Sequence, residues 1–400
     1  MVKLTREKIN MVTSKIQHLT REEIIKNGSI FTPEHIVAIS KLWLSSYIKE
    51  NDYVIDFGVG YGAFISSFLD LSENCIATDV DEKSIQLVNE HFPQVKTFLE
   101  NSLIDVTRKK YGIPDDAKLI IIGNPPYNDV TSQYKKGQKG SFEMEDNLKS
   151  RDLGISFLKM YSLLNPDIIC VLHPLSYLIK KTNFNSLSFF KDKYKLKRGI
   201  VFSSKEFESI KKTNTEFPVV LAFYEKNYSE KFEYEDIENF EFEILDNNKL
   251  FKLKKYDTID KKVRKYPTKN KSNKDLQFYT MRDINALKRN RTFLTGKCNN
   301  GVKVELEDLY KYAWIDYFKN HFNHSLHYLF GNLSPLYDEI IESSVVKKEL
   351  ISYILNTNDV VLDYYKSKNM ITTVKDYYKI ENLLISYPKL NKIIDKINNF

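Results

Sequence analysis

Cysteine is scarce in this sequence, and the few cysteines form no recognisable pattern. The 400 residues include three, Cys75, Cys170 and Cys298, far apart and without a CxxC or Cys/His arrangement. The sequence therefore predicts neither a disulfide framework nor a zinc site, and we expect no bound metal. Long apolar runs are missing as well: no stretch approaches the roughly 18 uninterrupted apolar residues of a membrane span. These absences favour a protein of the reducing cytoplasm with no membrane partner.

Charge of both signs is present, but it is unevenly distributed. The formal net charge is +7. The segment Ser229–Asp246 carries eight Asp/Glu against one Lys, whereas Phe251–Lys274 carries ten Lys/Arg against two Asp. A basic segment of this kind suits a nucleic-acid backbone, whose counterions it would release. A solvated loop that only keeps the chain in solution accounts for the same charges equally well. Charge alone therefore does not show whether nucleic acid is a partner.

Hydrophobic patterning predicts the fold class. Between residues 31 and 228, short apolar runs alternate with amphipathic stretches, which is typical of an α/β fold with a mostly parallel, doubly wound sheet. The predicted strands are DYVIDFGVG, NCIATDV, KLIIIGNPPY, DIICVLHPL and FPVVLAFYE, and the predicted helices are AFISSFLDL, EKSIQLVNEHF and ISFLKMYSLL. Residues 1–30 are predicted to form a separate helical segment. Residues 229–400 are predicted to form a smaller, largely helical C-terminal domain.

Two elements early in the α/β region favour a nucleoside cofactor. The loop Asp56–Gly62 (DFGVGYG) follows a strand, and its glycines let a ligand approach the backbone amides. Asp79 ends the next strand, where a carboxylate can accept the two hydroxyls of a ribose. A tight turn without a ligand, and a helix N-cap at Asp79 or Asp81, are the alternatives that need no cofactor.

The third element is Asn124-Pro125-Pro126-Tyr127 at the end of the strand LIIIG. The prolines fix the backbone and remove two N–H donors, so that the Pro125 carbonyl and Asn124 Oδ1 can act as acceptors. Two acceptors that hold the hydrogens of an amine conjugated to an aromatic ring would free its lone pair for attack. Tyr127 offers a flat face on which an extruded base can stack. A turn with a half-buried tyrosine is the alternative without this chemistry.

These motifs, in this order, resemble the gamma-class DNA adenine-N6 methyltransferases of restriction–modification systems. In that family a cofactor-contacting TP segment precedes the glycine loop, the acidic ribose ligand and NPPY, and target recognition lies at the C-terminal end. Here the order is Phe31-Thr32-Pro33, Asp56–Gly62, Asp79 and Asn124–Tyr127. The resemblance covers residues 31–226. It implies a Rossmann-like methyltransferase domain over 31–228, with S-adenosyl-L-methionine as cofactor, and a DNA target-recognition domain over 229–400.

The resemblance also assigns roles to individual residues. The implied cofactor contacts are Phe31 and Thr32 with the methionine moiety, Asp56, Gly58 and Gly60 with its amino-acid end, Asp79 and Val80 at the ribose, Asn101 at the adenine, and Asn124. Asn101-Ser102 stands where the family usually has an Asp, although Asn keeps an acceptor oxygen. The implied catalytic residues are Asn124, Pro125 and Tyr127, and NPPY rather than SPPY favours adenine as the target.

The family has a late aromatic residue that stacks on the other face of the base. Phe202, Phe207 and Phe217 all qualify, and core packing accounts for any one of them equally well. The polar residues 128–152 after NPPY are predicted to fold over the DNA. The target adenine must leave the duplex stack to reach the site. Double-stranded DNA and a cognate restriction endonuclease are the implied partners. The sequence does not distinguish a monomer from a homodimer.

Three other functions fit parts of the sequence. A protein glutamine methyltransferase shares the glycine loop and NPPY, but its extra module is short and N-terminal. An RNA adenine methyltransferase is not excluded by the C-terminal half. A non-catalytic nucleic-acid-binding subunit would not need acceptors directed at an amine. His321, His324 and His327 recur every three residues, a spacing that favours a structural role over metal ligation, and Trp43 and Trp314 are expected in the core.

Overall fold

A computed structural model describes residues 32–127, 143–207, 217–227, 230–253, 257–264, 266–279, 292–323, 336–337 and 339–399. The predicted N-terminal helix (1–30) and Phe31 lie outside these ranges, as do His324 and His327. The chain divides into two compact units, the first ending at Lys252 and the second running from Leu253 to Phe400.

The first unit is built on a nine-stranded sheet. Its strands are β1 (Tyr53–Phe57), β2 (Asn74–Asp79), β3 (Lys96–Leu99), β4 (Leu119–Gly123), β5 (Ile168–Pro174), β6 (Tyr194–Ser203), β7 (Pro218–Lys226), β8 (Glu241–Ile244) and β9 (Leu250–Lys252). The order is β3-β2-β1-β4-β5-β7-β6-β8-β9. Strands β1 to β5 are parallel, and β7 is antiparallel to both β5 and β6. The order 3-2-1-4-5 is that of a Rossmann fold, so the predicted fold class is confirmed.

Helices cover both faces of this sheet. They are α1 (Glu34–Leu44), α2 (Glu82–His91), α3 (Arg108–Tyr111), α4 (Leu153–Leu164), α5 (Ser176–Ile179), α6 (Lys181–Ser186) and α7 (Tyr234–Asn239). Apolar side chains of α1 and α2 share one buried cluster with alternate strand residues such as Val54 and Ile120. Phe57 points to the other face, where its ring meets Tyr111 of α3 at 5.5 Å and Tyr161 of α4 at 5.6 Å. Side chains that alternate along a strand thus fill both layers.

The five predicted strands correspond to β1, β2, β4, β5 and β7, and α2 and α4 were predicted as well. The expected helix AFISSFLDL is reduced to a 3₁₀ turn at Ile65–Phe68. Strands β8 and β9 lie in and just after the acidic segment, and β8 pairs with β6. For this reason the division between the units falls after Lys252 and not after residue 228 as predicted.

The second unit is largely helical, as predicted, with a small sheet in addition. It contains strands β10 (Gln277–Tyr279), β11 (Phe293–Leu294) and β12 (Gly301–Lys303), and helices α8 (Leu309–His321), α9 (Ser344–Thr357), α10 (Asp359–Ser367), α11 (Ile371–Tyr378) and α12 (Pro388–Asn398). Trp314 is fully buried here, as Trp43 is nearly so in the first unit. His321 closes α8, with its ring stacked on Tyr317 at 4.0 Å. Among the described residues, no helix has the length and apolar character needed to cross a membrane.

Candidate active site

The described residues among those predicted from the sequence lie at the carboxyl ends of neighbouring strands in the large sheet. The glycine loop follows β1 and NPPY follows β4, and these two parallel strands are direct neighbours, with Asp56 of β1 opposite Ile122 of β4. Between β1 and β4 the strand order reverses, and open α/β sheets bind ligands at the carboxyl ends of their strands at such a switch point. The glycine loop and NPPY touch there: a Cβ on Gly58 would lie 3.3 Å from Pro126 Cδ.

Asp79 holds the glycine loop in position. Its Oδ2 accepts a 2.9 Å hydrogen bond from Gly60 N–H, and its Oδ1 accepts one of 2.9 Å from Asp81 N–H. Gly58 and Gly60 have φ of +77° and +51°, the left-handed region that glycine adopts without strain. Of the two predicted roles of this acidic pair, the helix N-cap belongs to Asp81, which accepts from Ser84 N–H at the start of α2. The Asp79 carboxylate instead contacts the glycine loop through Gly60.

Asp56 is a buried carboxylate with an unused acceptor. Its Oδ1 is shielded from solvent and has no hydrogen-bond partner among the described residues. Burial first, and the neighbouring Asp79 second, raise the pKa of Asp56 well above its ordinary value. A cation or N–H donor at Oδ1 would stabilise the ionised form, because a buried acceptor left unpaired costs free energy. This orphaned oxygen is the feature that best fits the amino-acid end of a cofactor.

Gly123 is a required residue that periodicity did not reveal. Its φ is +135°, and a Cβ at this position would collide with Asp56 Oδ1. The last residue of β4 must therefore be glycine if Asp56 is to keep its position. The signal in the sequence is the glycine that directly precedes NPPY.

The residues predicted at the ribose and adenine lie beside Asp79. Val80 is 61% exposed, an apolar side chain open to a ligand's ring. The loop after β3 adjoins it, since Glu100 N–H donates to Asp79 O and the hydroxyls of Ser102 and Thr78 are 2.7 Å apart. Asn101 is already engaged: its Oδ1 accepts from Leu103 N–H at 3.0 Å and its Nδ2 donates to Glu143 O at 2.7 Å. Only the second lone pair of Oδ1 remains for a cofactor amino group.

Asn124 has a defined amide orientation. Its Nδ2 donates a 3.2 Å hydrogen bond to Thr32 Oγ1, and in this orientation Oδ1 is the acceptor end of the amide. Thr32 comes from the segment before α1, so the first and third sequence motifs meet at this bond. Pro125, which follows, is buried and contributes a carbonyl without an N–H.

Contact with Tyr127 distinguishes among Phe202, Phe207 and Phe217, the three candidates for the aromatic residue that stacks on the base. Its ring meets that of Phe217 edge-on, with the centroids 6.3 Å apart. Phe202 and Phe207 are fully buried and pack against each other at 5.9 Å in the core of the first unit. Phe217 is half-buried, and of the three it is the one whose ring contacts Tyr127 of NPPY. Burial raises the pKa of the Tyr127 hydroxyl, which keeps the phenol neutral.

A tyrosine–carboxylate pair that the sequence did not predict, Tyr177 and Asp152, lies near these residues. The Tyr177 hydroxyl donates to Asp152 Oδ1, which also accepts from Gly154 N–H at 3.2 Å and caps α4. Asp152 ends the polar stretch 128–152 that was predicted to fold over DNA; residues 128–142 lie outside the described ranges. Residue 145 is tied to the loop after β3, because Glu145 N–H donates to Leu103 O at 3.0 Å.

Comparison with known proteins finds similarity to methyltransferases. No protein-family model matches the chain. The ribosomal RNA small subunit methyltransferase A of Prosthecochloris aestuarii is 27% identical over 121 residues, which are 30% of this chain and 44% of that protein. The enzyme of the same name from Chlorobium phaeobacteroides is 25% identical over 119 residues. The chain thus spans less than half the length of the curated relatives it matches.

Solved structures are similar at low sequence identity. The putative RNA methyltransferase PH1948 from Pyrococcus horikoshii is 16% identical, with a TM-score of 0.37, over 57% of this chain and all of that one. The M protein of the type I restriction enzyme EcoKI is 14% identical, with a TM-score of 0.35, over 56% of this chain and 47% of that one. The likeness to these structures is one of fold.

Proposed function

We propose that the protein transfers a methyl group from S-adenosyl-L-methionine to N6 of an adenine in DNA. The observation that carries the proposal is Asn124, whose amide is oriented by Thr32 at the carboxyl end of β4. In the same tetrapeptide Pro126 adjoins Gly58 of the glycine loop and Tyr127 meets Phe217, so NPPY has a cofactor side and a base side. A methyl donor and an amine acceptor bound on these two sides would meet at Asn124.

The residues of β1 and β2 suit the proposed cofactor, which when bound supplies an electrophilic methyl group on a sulfonium. Asp56 Oδ1 is the buried acceptor for its ammonium group. Asp79, held by the glycine loop, accepts its ribose hydroxyls, and the exposed Val80 contacts its base. Two carboxylates at one site also favour a ligand of positive charge.

The residues of NPPY suit an exocyclic amine. Asn124 Oδ1 and the Pro125 carbonyl accept its two hydrogens, which draws the nitrogen towards tetrahedral geometry and frees its lone pair. The chain then needs no strong base, because positioning and acceptor dipoles lower the barrier. Tyr127 and Phe217 line the space proposed for the ring of the extruded base. Their contact with the base offsets the free energy that its removal from the duplex stack costs.

Phe217 should affect capture of the base and not the binding of the cofactor. We expect Phe217→Ala to weaken retention of an extruded base by about 1–3 kcal/mol, or about 5- to 150-fold. 2-Aminopurine at the target position would report extrusion by its fluorescence. Phe217→Tyr keeps a flat ring and serves as the matched control. A Phe217→Ala variant with the full wild-type fluorescence change would place the stacking aromatic elsewhere.

RNA is the second candidate acceptor. The curated relatives are, by name, ribosomal RNA methyltransferases, and the region they share with this chain covers 30% of it. DNA is favoured by the motif order, in which the TP segment precedes the glycine loop, and by the Thr32–Asn124 bond that makes this segment part of the site. The second unit, which we assign to target recognition, supplies the surface for either polymer.

The basic segment of the second unit should contribute to the binding of the polymer. Lys261 and Lys262 lie within 3.5 and 3.6 Å of Asp257, and Lys261, Lys262 and Arg264 are exposed. We expect reversal of these three charges to Glu to weaken DNA binding and to flatten its salt dependence, by about 0.9 in log–log slope per lost phosphate contact. Reversal of the exposed Lys389 and Lys392 on α12 is the control. An unchanged slope in the triple variant would identify the segment as solvated surface only.

Transfer of tritiated methyl from S-adenosyl-L-methionine to separate acceptors tests the choice of polymer. Unmethylated genomic DNA, ribosomal RNA and a cell protein fraction would be incubated in parallel with the wild-type protein. We expect label in DNA. Label confined to RNA or to protein would reject DNA as substrate and retain methyl transfer.

A further inference from the structure

The antiparallel pair of β6 and β7 ends in a hydrogen bond to a side chain. Ser203 and Pro218 are the last residues in register, and the pair that follows is Ser204 and Phe217. Ser204 N–H donates to Phe217 O at 2.9 Å, as in a regular antiparallel ladder. In the other direction, Phe217 N–H donates to the hydroxyl oxygen of Ser204 at 3.0 Å. A serine side chain thus supplies the acceptor that a backbone carbonyl supplies elsewhere in the sheet.

The backbone carbonyl of Ser204 is used in a turn. A 3₁₀ turn begins at this residue (Ser204–Glu206), and Phe207 N–H donates to Ser204 O at 3.1 Å. Ser204 is fully buried, so its hydroxyl lies in the interior of the first unit. The side chain therefore lets the backbone turn away from the sheet after β6 while Phe217 N–H keeps an acceptor.

The backbone beside Phe217 is also held from the opposite strand. Leu175, which directly follows β5, donates its N–H to Pro218 O at 3.0 Å. The start of β7 is thus bonded to residues at the ends of both neighbouring strands. The side chain of Phe217 is only half-buried, and its ring meets that of Tyr127 at 6.3 Å. The backbone of Phe217 is therefore fixed on both sides, whereas its ring is partly open to a ligand.

The rings of Tyr127 and Phe217 must change their relative orientation to hold a base between them. Their planes are 84° apart, whereas a base stacks face to face on an aromatic ring. A base that stacks on both rings therefore requires one of them to turn. A fixed backbone restricts the change at Phe217 to its side-chain torsions, which limits the conformational entropy lost when the base binds.

We propose that Ser204 is a positioning residue for the target base. Its hydroxyl fixes the backbone of Phe217 next to Tyr127, so that only the ring of Phe217 moves when a base enters. The inference rests on the proposed function, because Phe217 has this role only if an extruded base binds beside it. Ser204 acts through Phe217, so its loss should affect the base and leave the binding of the cofactor unchanged.

The test compares Ser204→Ala with Ser203→Ala. The hydroxyl of Ser203 caps the same turn by accepting from Lys205 N–H at 3.1 Å, so the control also removes one serine hydroxyl there. Fluorescence of 2-aminopurine at the target position of a duplex sequence that the wild-type protein methylates measures retention of the base. Calorimetry measures cofactor affinity. We expect Ser204→Ala to lower retention by about 2- to 13-fold, the equivalent of one neutral hydrogen bond, and Ser203→Ala to change neither quantity.

A double-mutant cycle with Phe217→Ala separates positioning from a general structural loss. If Ser204 acts through the ring of Phe217, Ser204→Ala should lower retention no further once that ring is absent. The isosteric variants Ser204→Thr and Ser204→Val provide the same comparison if the alanine variant does not fold, because they differ only in the hydroxyl. We expect the Thr variant to retain the base better than the Val variant by the same factor.

Wild-type retention in Ser204→Ala, an equal loss in Ser203→Ala, or additive losses in the double variant would overturn the assignment. Equal retention in the Thr and Val variants would do so as well. A wild-type protein that methylates no nucleic acid would instead contradict the proposed function, so the two failures are distinguishable.

Discussion

Asn124→Ala is expected to lower the turnover of methyl transfer by about 10²- to 10³-fold, the usual loss when one positioned polar group at a reacting centre is removed. Affinity for the cofactor should stay nearly unchanged. The reason is the proposed division of the site: Asn124 Oδ1 would act on the amine, whereas Asp56 on β1 and Asp79 on β2 would hold the cofactor. Single-turnover transfer and calorimetric binding of the cofactor measure the two effects separately.

Asn124→Asp is the matched control. The carboxylate keeps acceptor oxygens and can accept a hydrogen bond from the Thr32 hydroxyl, in the reverse sense of the present 3.2 Å bond. We therefore expect it to retain more activity than the alanine variant. Wild-type turnover in Asn124→Ala would rule out the proposed role, and a parallel loss of cofactor affinity would indicate a structural effect.

Asp56→Asn is expected to have opposite effects on stability and on cofactor binding. Because burial raises the pKa of Asp56, ionisation of this carboxyl costs folding free energy in the absence of ligand. The stabilisation of the protonated form is complete below the ordinary pKa of 3.8 and is lost as pH rises through the higher pKa of the folded state. Asparagine does not ionise, so its advantage should grow as pH rises from acid towards neutrality.

Thermal unfolding of the ligand-free protein across this pH range measures the first effect. We expect the Tm of Asp56→Asn to exceed that of the wild type near neutral pH, by about 2–4 °C for each kcal/mol regained. Cofactor affinity should fall by about 10- to 100-fold, equivalent to about 1.5–3 kcal/mol for a hydrogen bond to a charged group. Asp115→Asn, at an exposed site, is the control and should change neither quantity. A Tm that is lower than wild type at neutral pH would contradict this account of Asp56.

The sequence predicted the catalytic-domain fold well because its central strands are buried on both faces. Strands such as LIIIG are continuous apolar runs, which helices of this fold do not show. Strands towards the edges were missed: β3 (KTFL), at one edge, is short and partly exposed, and β8, one strand in from the other edge, alternates charged and apolar residues within an acidic segment. β3 pairs with β2 across α2, and β8 pairs with β6 across some forty residues, and local composition carries no information about such pairing.

The sequence predicted the site residues that stand at the end of a strand. It did not predict those whose role depends on contacts with residues remote in the chain. Asp56, Asp79 and Asn124 stand at the ends of recognisable strands, so their proximity follows from parallel topology. The choice of Phe217 over Phe202 and Phe207 needed the burial of each ring. The Tyr177–Asp152 bond joins residues 25 positions apart that no sequence pattern connects.

The central claim is that the methyl acceptor is an exocyclic amine of an extruded adenine. Nucleoside mass spectrometry of DNA methylated by the wild-type protein tests it most directly, with DNA treated by Asn124→Ala as the background. We predict N6-methyladenine as the product, formed about 10²- to 10³-fold more slowly in the Asn124→Ala background. A methyl group on carbon 5 of cytosine, on a ring nitrogen or on a ribose would contradict the claim, because none of these positions presents an amine to Asn124 and Pro125.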